Sequence, residues 1–389
     1  MLEARFATRR PEALCLAGSD PSSEVFPRGA LCRAFLTSVC GPANGAARCS
    51  DEDDTLALRS WVAARMTSRG VTLSEDDVVI TRGAQHAISI AAELLLDPGD
   101  EVLVEEWTYP GALDVFHRLG AEPSVIVHGE ARCAYVMPGV SNPLGRGMPA
   151  GERRRLLDLG IPIIADEALA ELRFDGRLER PLFADASDRV FHVGTFSKTL
   201  SPGLRTGYLV APAGYRARAR QASRRSASSS GELAHRVVGA FVEGDHFDAR
   251  LGRARRFYEM RAEKLVRSLQ RRFPSFRVHE PEGGYSLLVE TDRQGDELSL
   301  LQAAAEHGVA FETGSTFRTD GAISPIALRL TYSQISPIWI DEAVARLERA
   351  WNDFHHGRLQ HVPRRSDIRE LAVPAFDSLG ARARSDAAE

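Results

Sequence analysis

The sequence predicts an α/β protein with a mostly parallel sheet, followed by a smaller α+β domain. From about residue 76, β-branched runs such as "DVVIT" and "IPIIADE" alternate with helical stretches, which is typical of βα units on a parallel sheet. Residues 251–272 place apolar side chains at helical spacing among charges, which predicts one long amphipathic helix between two domains. The strand patterns "GYSLLVE" and "IALRLTYS" and a last helical pattern, "PIWIDEAVARLERAW", then form the smaller unit.

These patterns divide the chain into four parts. We expect residues 1–45 to form an N-terminal arm that joins the small domain, residues 46–250 the large domain, and residues 251–355 the small domain with its interdomain helix. Residues 356–389 are rich in Arg, Ala and Pro and show little periodicity, so we expect them to form a C-terminal extension.

The composition excludes several classes of protein. With 43% hydrophobic and 26% charged residues among 389 and a net charge of −4, the chain has the composition of a soluble globular protein. It contains no apolar run of the roughly 20 residues that a membrane span needs, no signal-peptide pattern and no basic tail for nucleic acid. Its five cysteines form no metal-ligand spacing, and their odd number favours a reducing compartment. We therefore expect a cytoplasmic protein that binds no metal, membrane or nucleic acid.

Lysine is almost absent from the chain. Of the 49 lysine and arginine residues only two, Lys198 and Lys264, are lysine. Lys198 follows the strand pattern "VFHVGTF", and the carboxyl ends of parallel strands are where α/β sheets place ligand chemistry. Arginine cannot lose its proton and form an imine, whereas a desolvated lysine can. Lys198 is therefore a candidate for amine chemistry, with a solvated loop lysine as the alternative.

The residues around this lysine suit a phosphate dianion. Two hydroxyls and a guanidinium, those of Thr195, Ser197 and Arg205, lie within a few positions of it. Upstream, "TRGAQHAISIAAE" places residues 83–85 at a helix start, where free N–H groups bind anions.

An acid ends a very apolar strand in "IPIIADEALAEL". A buried Asp166 carboxylate is costly unless it meets a cation or a strong donor, and a protonated pyridine nitrogen is such a partner. A helix N-cap for "EALAEL" is an equally open interpretation of this residue.

Seven segments, which occur in the family's order along the chain, resemble one family over roughly residues 11 to 353. The run "SKTLSPGLRTGY" resembles the Schiff-base motif of fold type I pyridoxal 5′-phosphate enzymes, specifically the class I and II aminotransferases nearest to MocR-type domains. The segments that are similar to other motifs of that family are "VEEWTYPGALDVF", "GVSNPLGRGMP", "ADEALAELRFDG", "EGDHFDARLGRARRFYEMRAEKL", and the small-domain strands "PEGGYSLLV" and "IALRLTYS". The resemblance implies a seven-stranded, mostly parallel sheet domain, a smaller α+β domain, pyridoxal 5′-phosphate as cofactor and a homodimer.

By position, the resemblance also implies residue roles. Lys198 would form the Schiff base and move the proton, Asp166 would hold the pyridine nitrogen, and Tyr109 would stack on the ring unless it is a core or turn tyrosine. Asn142 would bind the ring's 3′ oxygen and the substrate. Arg329 would bind the substrate α-carboxylate near Gly18, with an ordinary strand-edge arginine as the alternative. The phosphate ligands would be Gly83, Ala84, Gln85, Thr195, Ser197 and Arg205.

Three positions depart from the family's pattern. Leu169 stands where many relatives have a tyrosine that donates to the ring oxygen, and its presence predicts a raised pKa of the Schiff base. Cys49 stands where relatives have a tyrosine that reaches the partner subunit, and the acids at 51–54 either form a solvated loop or face a cationic substrate group. Trp107 replaces a proline and adds bulk near the cofactor.

These residues favour an aminotransferase that acts on an L-amino acid. The alternative is a lyase, a β- or γ-replacement enzyme or a cyclisation enzyme of specialised metabolism, which uses the same carbanion. A third hypothesis is the effector domain of a transcription regulator, because MocR-type proteins join this fold to a winged helix-turn-helix. Since the motifs begin by about residue 14, we expect no such DNA-binding module.

Overall fold

The computed structural model describes residues 13–40, 55–126, 131–226, 231–244, 247–319 and 325–356. Its strands are β1 (Leu14–Cys15), β2 (Val78–Thr81), β3 (Glu101–Val104), β4 (Glu122–Val125), β5 (Cys133–Val136), β6 (Ile163–Asp166), β7 (Val190–Thr195), β8 (Gly207–Val210), β9 (Arg277–Val278), β10 (Ser286–Glu290), β11 (Val309–Ala310), β12 (Glu312–Thr313) and β13 (Ala327–Thr331). Its helices are α1 (Arg28–Cys40), α2 (Leu56–Thr67), α3 (Ala84–Leu95), α4 (Pro110–Arg118), α5 (Ala150–Asp158), α6 (Arg216–Ser226), α7 (Glu232–Glu243), α8 (Phe247–Arg272), α9 (Glu297–Glu306) and α10 (Ile340–His355).

Seven strands form the large sheet in the order β2-β8-β7-β6-β5-β3-β4. All neighbouring pairs run parallel except those of β8, which is antiparallel to both β2 and β7. Residues 196–206 join β7 to β8, and a connection this short does not allow the crossover that a parallel pair needs. The predicted α/β fold with a mostly parallel seven-stranded sheet is confirmed.

The central strands are buried along their whole length. Every residue of β5, β6 and β7 is buried, which explains why these strands read as continuous apolar runs. Helix α3 packs across β6, β7 and β8 and buries Ala87, Ile88 and Ala91 against them. Because the sheet is covered, polar side chains at its carboxyl edge lie in a largely dehydrated environment.

The second sheet is antiparallel, in the order β12-β13-β10-β9, and packs with α8, α9 and α10. The long helix α8 begins at Phe247, four residues before the start that periodicity predicts, and ends at Arg272 as expected. Strand β1 pairs in parallel with β11, so the N-terminal segment is attached to this smaller unit.

Some predictions concern residues that the structure does not describe. Cys49, the acids at 51–54 and the extension from residue 357 onward lie outside the described residues. Among the residues that are described, no helix is both long and apolar enough to cross a membrane. The same part of the chain holds no group of three His, Cys, Asp or Glu side chains that could ligate a metal ion.

Candidate functional site

Lys198 and Asp166 lie at the carboxyl ends of neighbouring parallel strands. Asp166 is the last residue of β6 and pairs in register with Val193 of β7, which ends three residues before Lys198. The Lys198 charge lowers the pKa of Asp166, so the two groups interact electrostatically. The structure thus brings the candidate amine and the candidate charge partner to one edge of the sheet.

The N-terminal segment and the small domain hold Lys198 in place. Its Nζ donates to the carbonyl oxygen of Ser19 at 2.8 Å and lies 5.9 Å from the ring centre of Tyr285. The hydroxyl of Tyr285 donates to the backbone oxygen of Lys198 itself. Tyr285 is buried, with its ring edge-to-face against Tyr258 at 5.0 Å between ring centres. The backbone of Lys198 is therefore held in place, and its side chain is half-buried.

The Asp166 carboxyl is buried and keeps two donors. Oδ2 accepts from the hydroxyl of Tyr135 at 2.8 Å, and Oδ1 accepts from the backbone N–H of Ala168 at 2.9 Å. Burial nonetheless raises the pKa of Asp166 above its usual value, because the two donors and the Lys198 charge do not offset the desolvation. A positively charged ring nitrogen would supply what this carboxylate lacks, so Asp166 fits the predicted cofactor.

A cradle for an anion forms where α3 begins. Gly83 precedes α3 with φ +92°, and a Cβ atom placed there would lie 3.7 Å from Ser197 Oγ and 4.0 Å from Thr195 Oγ1. Thr195 Oγ1 accepts from the Ser197 N–H at 3.1 Å and donates to the Thr206 carbonyl at 3.0 Å. Ser197 Oγ is buried and has no hydrogen-bond partner among the described residues. An orphaned hydroxyl beside the N–H groups of a helix N-terminus fits a phosphate.

Gln85 and Tyr109 meet over the start of α4. Gln85 Nε2 donates to the Gly111 carbonyl at 2.5 Å. A Cβ atom at Gly111 would lie 2.5 Å from Tyr109 Cζ and 2.6 Å from Gln85 Oε1, so only glycine lets the tyrosine ring fold back there. Tyr109 directly precedes Pro110 at the first position of α4. The structure therefore places the predicted stacking residue beside a predicted phosphate ligand.

The predicted α-carboxylate site forms at β13. Arg329 Nε donates to Asn142 Oδ1 at 2.9 Å, and Nη1 donates to the Gly18 carbonyl at 3.0 Å. Arg329 also forms an ion pair with Glu312, which lies directly opposite it on β12. The three residues that the sequence assigns to substrate binding thus lie together, and Glu312 joins them.

Arg205 is the predicted phosphate ligand that the structure leaves at the surface. Its side chain is exposed, and its backbone adopts the left-handed φ of +44° at the end of the turn Pro202–Leu204. The cradle is therefore formed by the two hydroxyls and the α3 start.

Two of the departures from the family pattern have a packing role. Trp107 is buried, and Arg318 lies over its ring with Cζ 4.8 Å from the ring centre. The next residue, Thr108, donates its N–H to the Phe317 carbonyl at 2.9 Å, so this segment is joined to the loop after β12. Leu169 lies 3.6 Å from a Cβ atom placed at Gly284, next to Tyr285.

Sequence reasoning missed several residues of this site. Tyr135 is a hydroxyl-bearing side chain in a fully buried strand next to the Asp166 strand, and that position is a signal for a polar contact. Ser19, Tyr285 and Glu312 carry no such local signal, because their contacts depend on how distant segments pack.

The comparisons with known proteins agree with this geometry. The family model for aminotransferase class I and II matches residues 41–347. A 2-aminoadipate transaminase of Thermus thermophilus is 30% identical over 368 residues, which cover 88% of this chain and 91% of that protein. The HTH-type transcriptional regulator TauR of Rhodobacter capsulatus is 32% identical over 320 residues, which cover 78% of this chain and 66% of the regulator.

Solved structures show the same fold. The crystal structure of an α-aminoadipate aminotransferase from Thermus thermophilus, complexed with N-(5′-phosphopyridoxyl)-L-leucine, matches with a TM-score of 0.81 at 29% identity over 89% of this chain and 94% of that one. A kynurenine aminotransferase from Pyrococcus horikoshii matches with a TM-score of 0.80 at 25% identity over 89% of this chain and 92% of that one.

Proposed function

This chain belongs to the class I and II aminotransferases and uses pyridoxal 5′-phosphate, and on that premise we propose that Lys198 binds the cofactor and transfers the Cα proton of an amino acid donor. The observation that carries the proposal is the pairing of Lys198 with the buried Asp166 at adjacent strand ends. Of the chain's two lysines, Lys198 is the one at this edge of the sheet.

Each group of residues has one task in this proposal. When bound, the cofactor supplies an electron sink for the pair that is released at Cα. Asp166, which Tyr135 orients through its hydroxyl, would stabilise the positive charge on the ring nitrogen. The N–H groups at the α3 start and the hydroxyl of Ser197 would bind the phosphate, while Thr195 accepts from the Ser197 N–H and so holds Ser197 in position.

Lys198 Nζ is the group that would move the Cα proton. The Ser19 carbonyl accepts from Nζ at 2.8 Å, and Tyr285 fixes the lysine backbone, so the amine has a restricted range. A positioned base of this kind contributes on the order of 10²–10⁴-fold to a proton transfer. Arg329, Asn142 and Gly18 would hold the donor's α-carboxylate.

Incubation with single amino acids tests this function. We expect the purified enzyme to convert its cofactor to pyridoxamine phosphate and the donor to an oxo acid, both measured by chromatography. Release of a β- or γ-substituent without pyridoxamine phosphate would instead support the elimination, replacement or cyclisation alternative.

We also propose that the enzyme acts as a cytoplasmic homodimer without a nucleic-acid partner. Helix α1 exposes Phe35, Leu36 and Val39 on one side, and α1 packs on α7, which exposes Leu233. Clustered apolar side chains of this kind are typical of a subunit interface. The odd cysteine count supports a reducing compartment, and light scattering of the purified protein tests the oligomeric state.

A further inference from the structure

The guanidinium of Arg329 already has an anionic partner within the protein. Its side chain is 3% exposed and forms an ion pair through Nη1 with Glu312, whose side chain is 21% exposed. The same Nη1 lies 3.0 Å from the Gly18 carbonyl and 3.4 Å from Thr331 Oγ1, and Nε is taken by Asn142. Within the described part of the chain, Nη2 is the one guanidinium nitrogen of Arg329 that makes no hydrogen bond to the protein. It is therefore the nitrogen that remains for a ligand.

Sheet register, rather than a mobile loop, fixes this ion pair. Glu312 and Arg329 are direct cross-strand partners of β12 and β13, so their side chains leave the sheet on the same face. The ring of Phe317 lies 5.3 Å from Arg329 Cζ and limits the movement of the guanidinium. The glutamate therefore stays beside the site when a donor enters.

The charges around Arg329 determine which amino donors the site favours. An α-carboxylate bound at Arg329 would leave one guanidinium facing two carboxylates, that of the donor and that of Glu312. A buried excess charge is unfavourable unless another group balances it. A donor that carries a second cation restores the balance, whereas a donor that carries a second carboxylate makes the excess larger.

We propose that Glu312 is a specificity-determining residue, which directs the enzyme toward amino donors with a cationic side chain and away from dicarboxylic donors. This inference rests on the proposed function, because it assumes that Arg329 receives the donor's carboxylate. Glu312 acts on the donor through its charge and takes no part in the proton transfer.

Three six-carbon ligands that cannot react at Cα test the inference by binding alone. These are 6-aminohexanoate, hexanoate and adipate, which lack the α-amine and differ only in the charge at the far end. The holoenzyme is first reduced with borohydride, so that no ligand amine can attack the cofactor. Titration calorimetry then gives a Kd for each ligand with the parent enzyme, Glu312→Gln and a control, Glu24→Gln.

The control removes a similar ion pair that, among the described residues, makes no contact with Arg329 or Glu312. Glu24 pairs with the buried Arg261 at 2.7 Å, as Glu312 pairs with the buried Arg329. Glu24→Gln is expected to leave all three Kd values unchanged, which separates a charge effect in the site from a general loss of stability.

The parent enzyme is expected to bind 6-aminohexanoate most tightly and adipate least tightly. A unit charge about 10 Å away, at an effective dielectric constant of about 20, alters an affinity by roughly tenfold. Relative to hexanoate, which measures the effect on the carboxylate that all three ligands share, Glu312→Gln should therefore tighten adipate by about tenfold and weaken 6-aminohexanoate by about the same factor. Equal shifts for all three ligands, or no shift, would overturn the inference. Because binding is read without turnover, a failure of amino transfer itself would be seen separately, as absence of pyridoxamine phosphate.

Discussion

Lys198 and Lys264 form a natural matched pair for testing the site. Lys198→Arg is expected to abolish the visible absorbance of the bound cofactor and the activity, because a guanidinium does not form an imine. Lys264 lies on α8 and forms a partly exposed ion pair with Asp341 at 3.5 Å. Lys264→Arg should therefore keep both the cofactor absorbance and the activity. Absorbance spectra and peptide mass mapping after borohydride reduction measure the outcome. Cofactor fixed to any peptide other than the one with residue 198 would contradict the assignment.

Glu105 is a partly buried acid next to this site, and it affects the stability of the protein. It follows β3, accepts from the Met137 N–H at 2.7 Å, and burial, with some repulsion from Asp166, raises its pKa to about 7 from 4.5. Between the two pKa values, the Glu105 carboxyl is protonated in the folded protein and ionised in the unfolded chain. The free energy of unfolding therefore falls as the pH rises from the lower pKa to the higher one.

Glu105→Gln should remove this pH dependence. Between pH 5 and pH 8 we expect the parent's free energy of unfolding to fall by about 2 to 3 kcal/mol relative to the variant, as measured by urea denaturation at each pH. Glu106→Gln is the control, because the Glu106 side chain is 55% exposed. Parallel curves for the parent and Glu105→Gln would show that Glu105 is ionised throughout.

At the scale of elements, the contact between β8 and the start of α3 shapes the anion cradle. A Cβ atom at Gly207 would lie 2.7 Å from Gly83 Cα and 2.8 Å from the Gly194 carbonyl, both of which are backbone atoms. Gly207→Ala is therefore expected to push α3 away from β7 and to cost about 1–3 kcal/mol of stability. Apoprotein titrated with cofactor should show a weaker Kd, since the donors at residues 83–85 move relative to Ser197.

The control for this change lies in the turn that follows β8. Gly214 has no atom within 4 Å of a placed Cβ, so Gly214→Ala should preserve both the melting temperature and the cofactor Kd. If Gly207→Ala lowered stability but left the Kd unchanged, the cradle would not depend on this contact.

Sequence patterns predicted elements better than pairings between elements. The strand runs and the long helix could be located because β-branched runs and helical spacing are local properties, and the predicted fold class follows from them. The contacts Tyr135–Asp166 and Glu312–Arg329 could not be predicted from the sequence, because each depends on the register between strands. Lys198 was found because its residue type is rare in this chain, whereas nothing local distinguishes Glu312 from other glutamates.

At the scale of the whole molecule, the site is formed by residues from elements that lie far apart along the chain. Asp166 ends β6 and Lys198 follows β7 of the large sheet, Tyr285 precedes β10 and Arg329 lies in β13 of the second sheet, and the Ser19 carbonyl comes from the N-terminal segment. The amine therefore reaches its observed position only when all three parts are assembled. This explains why residues from about 18 to 329 contribute to one site.

The exposed side of α1 carries the last prediction, which concerns the proposed homodimer. Leu36 is 57% exposed and lies beside Phe35 and Val39, so Leu36→Glu would place a charge among apolar side chains if a second copy covers them. We expect this variant to have the mass of one chain by size exclusion with light scattering, at unchanged helix content, while the parent has the mass of two. Met260, 53% exposed on α8, supplies the control, since Met260→Glu should remain a dimer. A dimeric Leu36→Glu protein would move the interface to another surface, and a monomeric parent would refute the dimer.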